Sequence, residues 1–197
     1  MQTVTMTYAA QRIDPVPYQA TLMTAEDLLA NPVPNKCTEL VAGHILVREP
    51  PGYRHGCIAA QLQFAITSHA RQHVLGVVLA AETGFTLFRN PDTVRAPDVA
   101  FIRTERVPAS PPRGYAEFAP DLAVEVLSPS DRAGRVLGKV GDWIDAGARL
   151  VWIVDPERRI ARVYRADGTQ SFLAADDVLD GEDVLPGFTA RLADMID

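Results

Sequence analysis

The spacing of apolar residues changes several times along the chain, and each change predicts an element. Leu122, Val124 and Val126 alternate with Ala123, Glu125 and Leu127. Alternation with both faces largely apolar predicts an interior strand of a covered sheet. From Arg135 to Ala146 the period lengthens, and Val136, Val140, Trp143 and Ile144 recur at helical spacing. One face of that helix is therefore buried, and Gly147 is its stop. Leu150 to Val154 is an unbroken apolar run closed by Asp155-Pro156, which predicts a second buried strand.

Earlier in the chain, Thr24-Ala-Glu-Asp27 is a helix start with acidic residues in the first turn. The prolines of Asn31-Pro-Val-Pro-Asn35 stop that helix. Glu39 to Val47 predicts a hairpin turning at Ala42-Gly43. From Gly56 to His73, Ile58, Leu62, Ala65 and Ile66 define one helical face. Val77–Leu79 and Phe85–Phe88 predict two strands, or one strand bent at Gly84, and Pro97-Asp98 opens a strand from Val99 to Ile102. A proline-rich loop follows from Val107 to Pro120. Ile160–Arg165 and Gln170–Leu173 form a last hairpin around Asp167-Gly168, and the tail from Asp183 predicts an edge strand and a short helix or turn. Residues 1–20 carry little periodicity and are expected to be an arm, with residues 21–197 forming a single domain.

Composition narrows the possibilities only moderately. The chain has 197 residues, enough for a sizeable core, with 47% hydrophobic and 22% charged content. A net charge of −6 argues against a broad basic nucleic-acid surface, because nonspecific binding depends on neutralising phosphates with Lys and Arg. A local basic groove or a metal-dependent site stays open. Cys37 and Cys57 form neither a CxxC nor a disulfide framework, which fits a reducing, cytoplasmic setting. No signal peptide or membrane-spanning run is evident.

The candidate chemistry starts from Glu125. A carboxylate on a buried strand is costly unless a metal or a cation pairs with it. Lys139 lies at the edge of the buried helical face, beside Val136 and Trp143, and is a plausible partner. A functional acid–cation pair and a structural ion pair fit these residues equally well. Pro-Asp occurs three times, and context separates the second copy: Pro97-Asp98 opens the Val99 to Ile102 strand, and a later strand carries Glu125. Two carboxylates on adjacent strands, with a lysine near them, are the parts needed to hold a divalent cation and polarise a phosphodiester. Other motifs carry less. Gly134 to Lys139 is one residue short of a phosphate loop and ends in Val140 rather than Ser or Thr. His69 and His73 stand at i and i+4 without HExxH or a third ligand, as residues that end a helix do. Ser128 and Ser130 lack a nucleophile-elbow context.

One ordered set is more specific. Glu39 to Ile45, His55, Pro97 to Val99, Glu125 to Ser130, Lys139 to Trp143 and Trp152 to Pro156 together resemble the Uma-two family of bacterial endonucleases, over roughly Met23 to the C-terminus. That family is similar to the PD-(D/E)XK nucleases. The resemblance implies a restriction-endonuclease-like α/β (α+β) fold: a mixed central sheet flanked by helices, with an added N-terminal hairpin and C-terminal strands. It implies a metal-dependent DNA endonuclease in which Asp98, Glu125 and the Val126 carbonyl hold Mg2+ or Mn2+. Lys139 would act on the attacking water and the transition state, with Glu39 and His55 as accessories. The wider superfamily carries its lysine two residues after the glutamate, where this chain has Leu127. Lys139 fits the place to which the Uma-two pattern moves it. Trp143 stands where the family has Tyr. Arg54, Arg132 and Arg135 are candidate phosphate contacts. Cleaving both strands takes two sites, so a homodimer is expected. A nuclease-fold module that binds nucleic acid or protein without cleaving it is the alternative.

Overall fold

A computed structural model describes residues 22–197; the expected N-terminal arm lies outside the described residues. Helix α1 (Ala25–Ala30) is capped as predicted: the Thr24 side chain accepts from the Asp27 amide, and the Asp27 carboxylate accepts from the Thr24 amide. The hairpin follows as β1 (Cys37–Val41) and β2 (His44–Arg48). Its turn residues, Ala42 and Gly43, both have positive φ, the geometry that matches the twist of a tight hairpin. Next come α2 (Tyr53–Gln72), β3 (Gly76–Ala80), β4 (Phe85–Phe88), β5 (Thr93–Arg95) and β6 (Val99–Arg103). The centre of the chain is β7 (Leu122–Val126), α3 (Ala133–Asp145) and β8 (Leu150–Asp155). The hairpin β9 (Ile160–Arg165) and β10 (Gln170–Ala174) precedes β11 (Val178–Asp180), β12 (Thr189–Arg191) and α4 (Leu192–Ile196).

A six-stranded mixed sheet runs β10-β9-β8-β7-β6-β3. Only β7 and β8 are parallel, and α3 makes the crossover between them. Both strands are buried on both faces, as their apolar runs predict. Leu122, Val124 and Val126 join Leu150, Trp152 and Val154 in a core with Ile58, Leu62, Ile66 and Ala70 of α2 and Leu192 and Ile196 of α4. Ala123, Val151 and Ile153 face the other way, into a second core with Val140 and Trp143 of α3 and Phe85 of β4. Glu125 shares the face of Ala123 and therefore points towards α3.

The hairpin is more than an appendage. It joins β5 and β4 in a separate four-stranded sheet, ordered β2-β1-β5-β4. Thus β3 and β4 are two strands in two sheets rather than one bent strand. This small sheet stands on the α3 side of the central sheet, and the space between them contains the site.

Candidate active site

The two acidic positions meet through strand register. β6 and β7 pair antiparallel, with Val99 opposite Val124, so Asp98 stands across from Glu125. The Asp98 amide donates to the Val124 carbonyl at 3.0 Å. Its carboxylate accepts from the Val126 amide at 2.7 Å. From the first turn of α2, His55 Nε2 stands 3.1 Å from Asp98 Oδ2. Both carboxylate contacts fall on Oδ2, while His55 Nδ1 is buried without a partner. Hydrogen bonding to Asp98 raises the His55 pKa, against the opposing effect of burial.

Lys139 reaches the same floor from α3 and is buried rather than at the edge of its helical face. Its Nζ lies 2.7 and 2.8 Å from the two Glu125 oxygens, 2.8 Å from Glu39 Oε1, and 2.9 Å from the Ala96 carbonyl to which it donates. Three donors thus meet two carboxylates and a carbonyl. Trp143, one helical turn further on, donates its indole N–H to Glu125 Oε1 at 3.0 Å.

Glu39 belongs to this cluster and not to its periphery. β1 carries it to 2.9 Å from Arg95 Nη1, and the Ala96 amide donates to its Oε1 at 3.1 Å. Arg95, itself buried, donates through Nε to Asp142 of α3 at 2.7 Å. Neither Arg95 nor Asp142 was a candidate from the sequence. Asp142 carried a usable signal, because Lys139, Asp142 and Trp143 share a face at i, i+3 and i+4. Arg95 carried none, since β5 is only three residues long.

The two glutamates around one ammonium have opposite electrostatics. Burial pushes Glu39 up, but Lys139, Arg48 and Arg95 together bring it down to about 2. For Glu125 burial prevails: with Asp98 and Glu39 repelling its charge, it is pushed up to about 7 despite Lys139. Burial depresses the Lys139 pKa, yet the two glutamates raise it overall.

These residues line an open cleft of about 930 Å³ between the two sheets, with α2 along one wall. Asp98, Glu125 and the Val126 carbonyl form an all-oxygen set, the kind that magnesium and manganese take. Among the described residues no three Asp, Glu, His or Cys side chains cluster as a ready-made cage. Magnesium usually keeps several waters and needs only one or two carboxylates, so the set fits. Glu125 must loosen its bonds to Lys139 and Trp143 to take part.

The other sequence candidates are placed as follows. Arg135 lines the cleft. Arg54 is held by Glu157 at 2.8 Å and by the Pro156 carbonyl at 3.1 Å. Leu127 lines the cleft beyond Glu125. His69 bonds the Pro186 carbonyl at 2.9 Å.

A family model described as Uma2, "Putative restriction endonuclease", matches residues 25–193. The chain belongs to the Uma2 family. A solved structure, titled as a putative nuclease belonging to DUF820 from Anabaena variabilis, superposes on this Uma2 chain with a TM-score of 0.77. The match covers 88% of this chain and 97% of that one at 20% identity, so it speaks to the fold. No curated protein matches the chain. Among the described residues, no helix is long and apolar enough to cross a membrane.

Proposed function

We propose that this Uma2 protein is a metal-dependent endonuclease that hydrolyses DNA phosphodiester bonds. The observation that carries the reading is the convergence of Asp98, Glu125 and Lys139 on the floor of one open cleft. Held by Asp98, Glu125 and the Val126 carbonyl, Mg2+ or Mn2+ would supply a Lewis acid and a bound water of lowered pKa. The chain's own groups do the remaining work. His55 and the Val126 amide fix the orientation of Asp98. Lys139 brings a positive charge to the floor of the cleft, where it stabilises negative charge that develops on the phosphoryl oxygens. Glu39 and the Ala96 carbonyl hold the ammonium in place from the other side, so its position does not depend on Glu125 alone. Scission of both strands takes two such sites, which a symmetric homodimer in the cytoplasm would provide.

A second reading rests on one observation. Both Glu125 oxygens are engaged by Lys139 and Trp143. A locked ion pair of that kind suits a module that binds without cleaving.

Nicking of supercoiled plasmid in Mg2+ or Mn2+ separates the two readings. The parent protein should nick, and Asp98→Ala and Glu125→Ala should not. Lys139→Ala should lower turnover by a factor of about 100–1000, the usual effect of removing one preorganised donor. Parent-level turnover in Lys139→Ala would remove the lysine from the mechanism. Absence of metal-dependent nicking by the parent would favour the binding module.

A further inference from the structure

The cleft wall formed by α2 differs in charge from the rest of the chain. The protein carries 25 acidic residues and a net charge of −6, yet no Asp or Glu occurs between Glu49 and Glu82. The whole of α2 falls in that interval. Helix stability does not explain this, because carboxylates in a first turn are favoured by the helix dipole and α2 has none there. It also lacks a side-chain cap, and its first residues lie at the cleft, where Gly52, His55 and Gly56 are lining groups.

The solvent side of the helix is aromatic. Tyr53 is 90% exposed and Phe64 75% exposed. Eleven residues at 100° each bring them within about 20° of one another around the helix, roughly 16 Å apart along it. Arg71 falls on the same line five turns from Tyr53. Gly56 and Ala60 fill the strip between that line and the cleft, and both line the cleft. Two exposed rings and a cation therefore lie along one side of α2, and Gly56, Ala60 and Gln63 lie between that side and the cleft.

We infer that this face of α2 is a stacking platform for a single-stranded DNA segment whose backbone enters the cleft. The inference rests on the DNA reading of the site and adds the strand form that the site takes. A duplex is held mainly by many free cations, and among the described residues most lysines and arginines are already paired with acids. A single strand can also stack its bases on exposed rings, a contribution that a paired duplex does not make. The acid-free helix removes the repulsion that would otherwise oppose the phosphates.

Fluorescence anisotropy with a labelled oligothymidine of about twelve nucleotides, without divalent metal, tests this on the full chain. Phe64→Ala and Tyr53→Ala should each weaken binding by about tenfold, the typical effect of losing one stacked base. Phe64→Trp should retain it. Both side chains are exposed, so the thermal midpoints of all three variants should stay at the parent value. A duplex of the same length should bind more weakly than the single strand. Unchanged affinity in Phe64→Ala, or a duplex preferred over the single strand, overturns the inference. So does a parent dimer that Phe64→Ala converts to monomer by light scattering, since the face would then be an interface between copies of this chain. Cleavage of the same oligothymidine or nicking of supercoiled plasmid, either one with Mg2+ or Mn2+, distinguishes the two proposals. Asp98-dependent nicking with aromatic-independent binding leaves the nuclease reading intact, and aromatic-dependent binding without nicking does the reverse.

Discussion

At the scale of single residues, the site is defined by how one ammonium is shared. Lys139 sits between Glu39 and Glu125 at nearly equal distance, yet the two acids differ in pKa because their other neighbours differ. Arg95 and Arg48 add positive charge to Glu39, while Asp98 adds negative charge to Glu125. This sets two opposite pH dependences of stability. Glu39, held at about 2 against an ordinary 4.5, contributes stability above that ordinary value and loses it as pH falls towards 2. Glu125, raised to about 7, contributes most below 4.5 and loses its contribution as pH rises through about 7. Urea midpoints across pH should therefore separate the two substitutions. Glu39→Gln should flatten the acid limb, and Glu125→Gln should gain on the parent as pH rises through about 7. Superimposable pH profiles for the two variants would contradict the asymmetry. The Glu125–Lys139 pair is legible in the periodicity, since a buried strand acid needs a partner. Periodicity does not distinguish a structural pair from a functional one, and here a buried ion pair and a cleft floor are the same object.

At the scale of elements, three pieces far apart in sequence hold the site: the β1–β2 hairpin, the short strand β5 and helix α3. Arg95 links them, bonding Glu39 on β1 and Asp142 on α3 from β5. Its planar fork can serve two carboxylates at once, which a lysine cannot do in the same geometry. Arg95→Gln should leave Asp142 without its cation and Glu39 with only Lys139 and Arg48, and should destabilise the protein by about 3–5 kcal/mol, the usual penalty for breaking a buried pair from one side. Arg95→Lys should recover only part of it. Equilibrium urea denaturation reads both, and a loss below about 1 kcal/mol, a value ordinary for exposed pairs, would show that the link is not needed. The hairpin, α3 and the paired strands β7 and β8 were legible because each has a clear period or turn signal. β5 was not. Three residues are too few for alternation, and an arginine carries no burial signal when its partners lie 47 and 56 positions away. The small sheet was missed for the same reason, since β5 is the strand that joins the hairpin to β4.

At the scale of the whole molecule, the central sheet supplies the acids and the second sheet closes the other side of the cleft. Asp98 and Glu125 come from adjacent strands of the central sheet, so their separation is fixed by β pairing rather than by loops. Such a site needs little rearrangement to take a cation beyond releasing Glu125 from Lys139 and Trp143. Any ion that binds only the folded arrangement must then raise the thermal midpoint by mass action. At a concentration about 100 times its dissociation constant the gain is about 2.7 kcal/mol, which for a chain of this size corresponds to roughly 5–11 °C. Mg2+ or Mn2+ should produce a shift of that order in the parent. Asp98→Ala should abolish it, because Glu125 alone would have to give up its lysine without a second carboxylate to share the ion. Glu39→Gln should keep most of the shift, since Glu39 faces Lys139 and Arg95 rather than the proposed ion site. Should Asp98→Ala respond to metal as the parent does, the ion lies elsewhere, and the His69–His73 pair at the end of α2 is the next place to examine by the same titration.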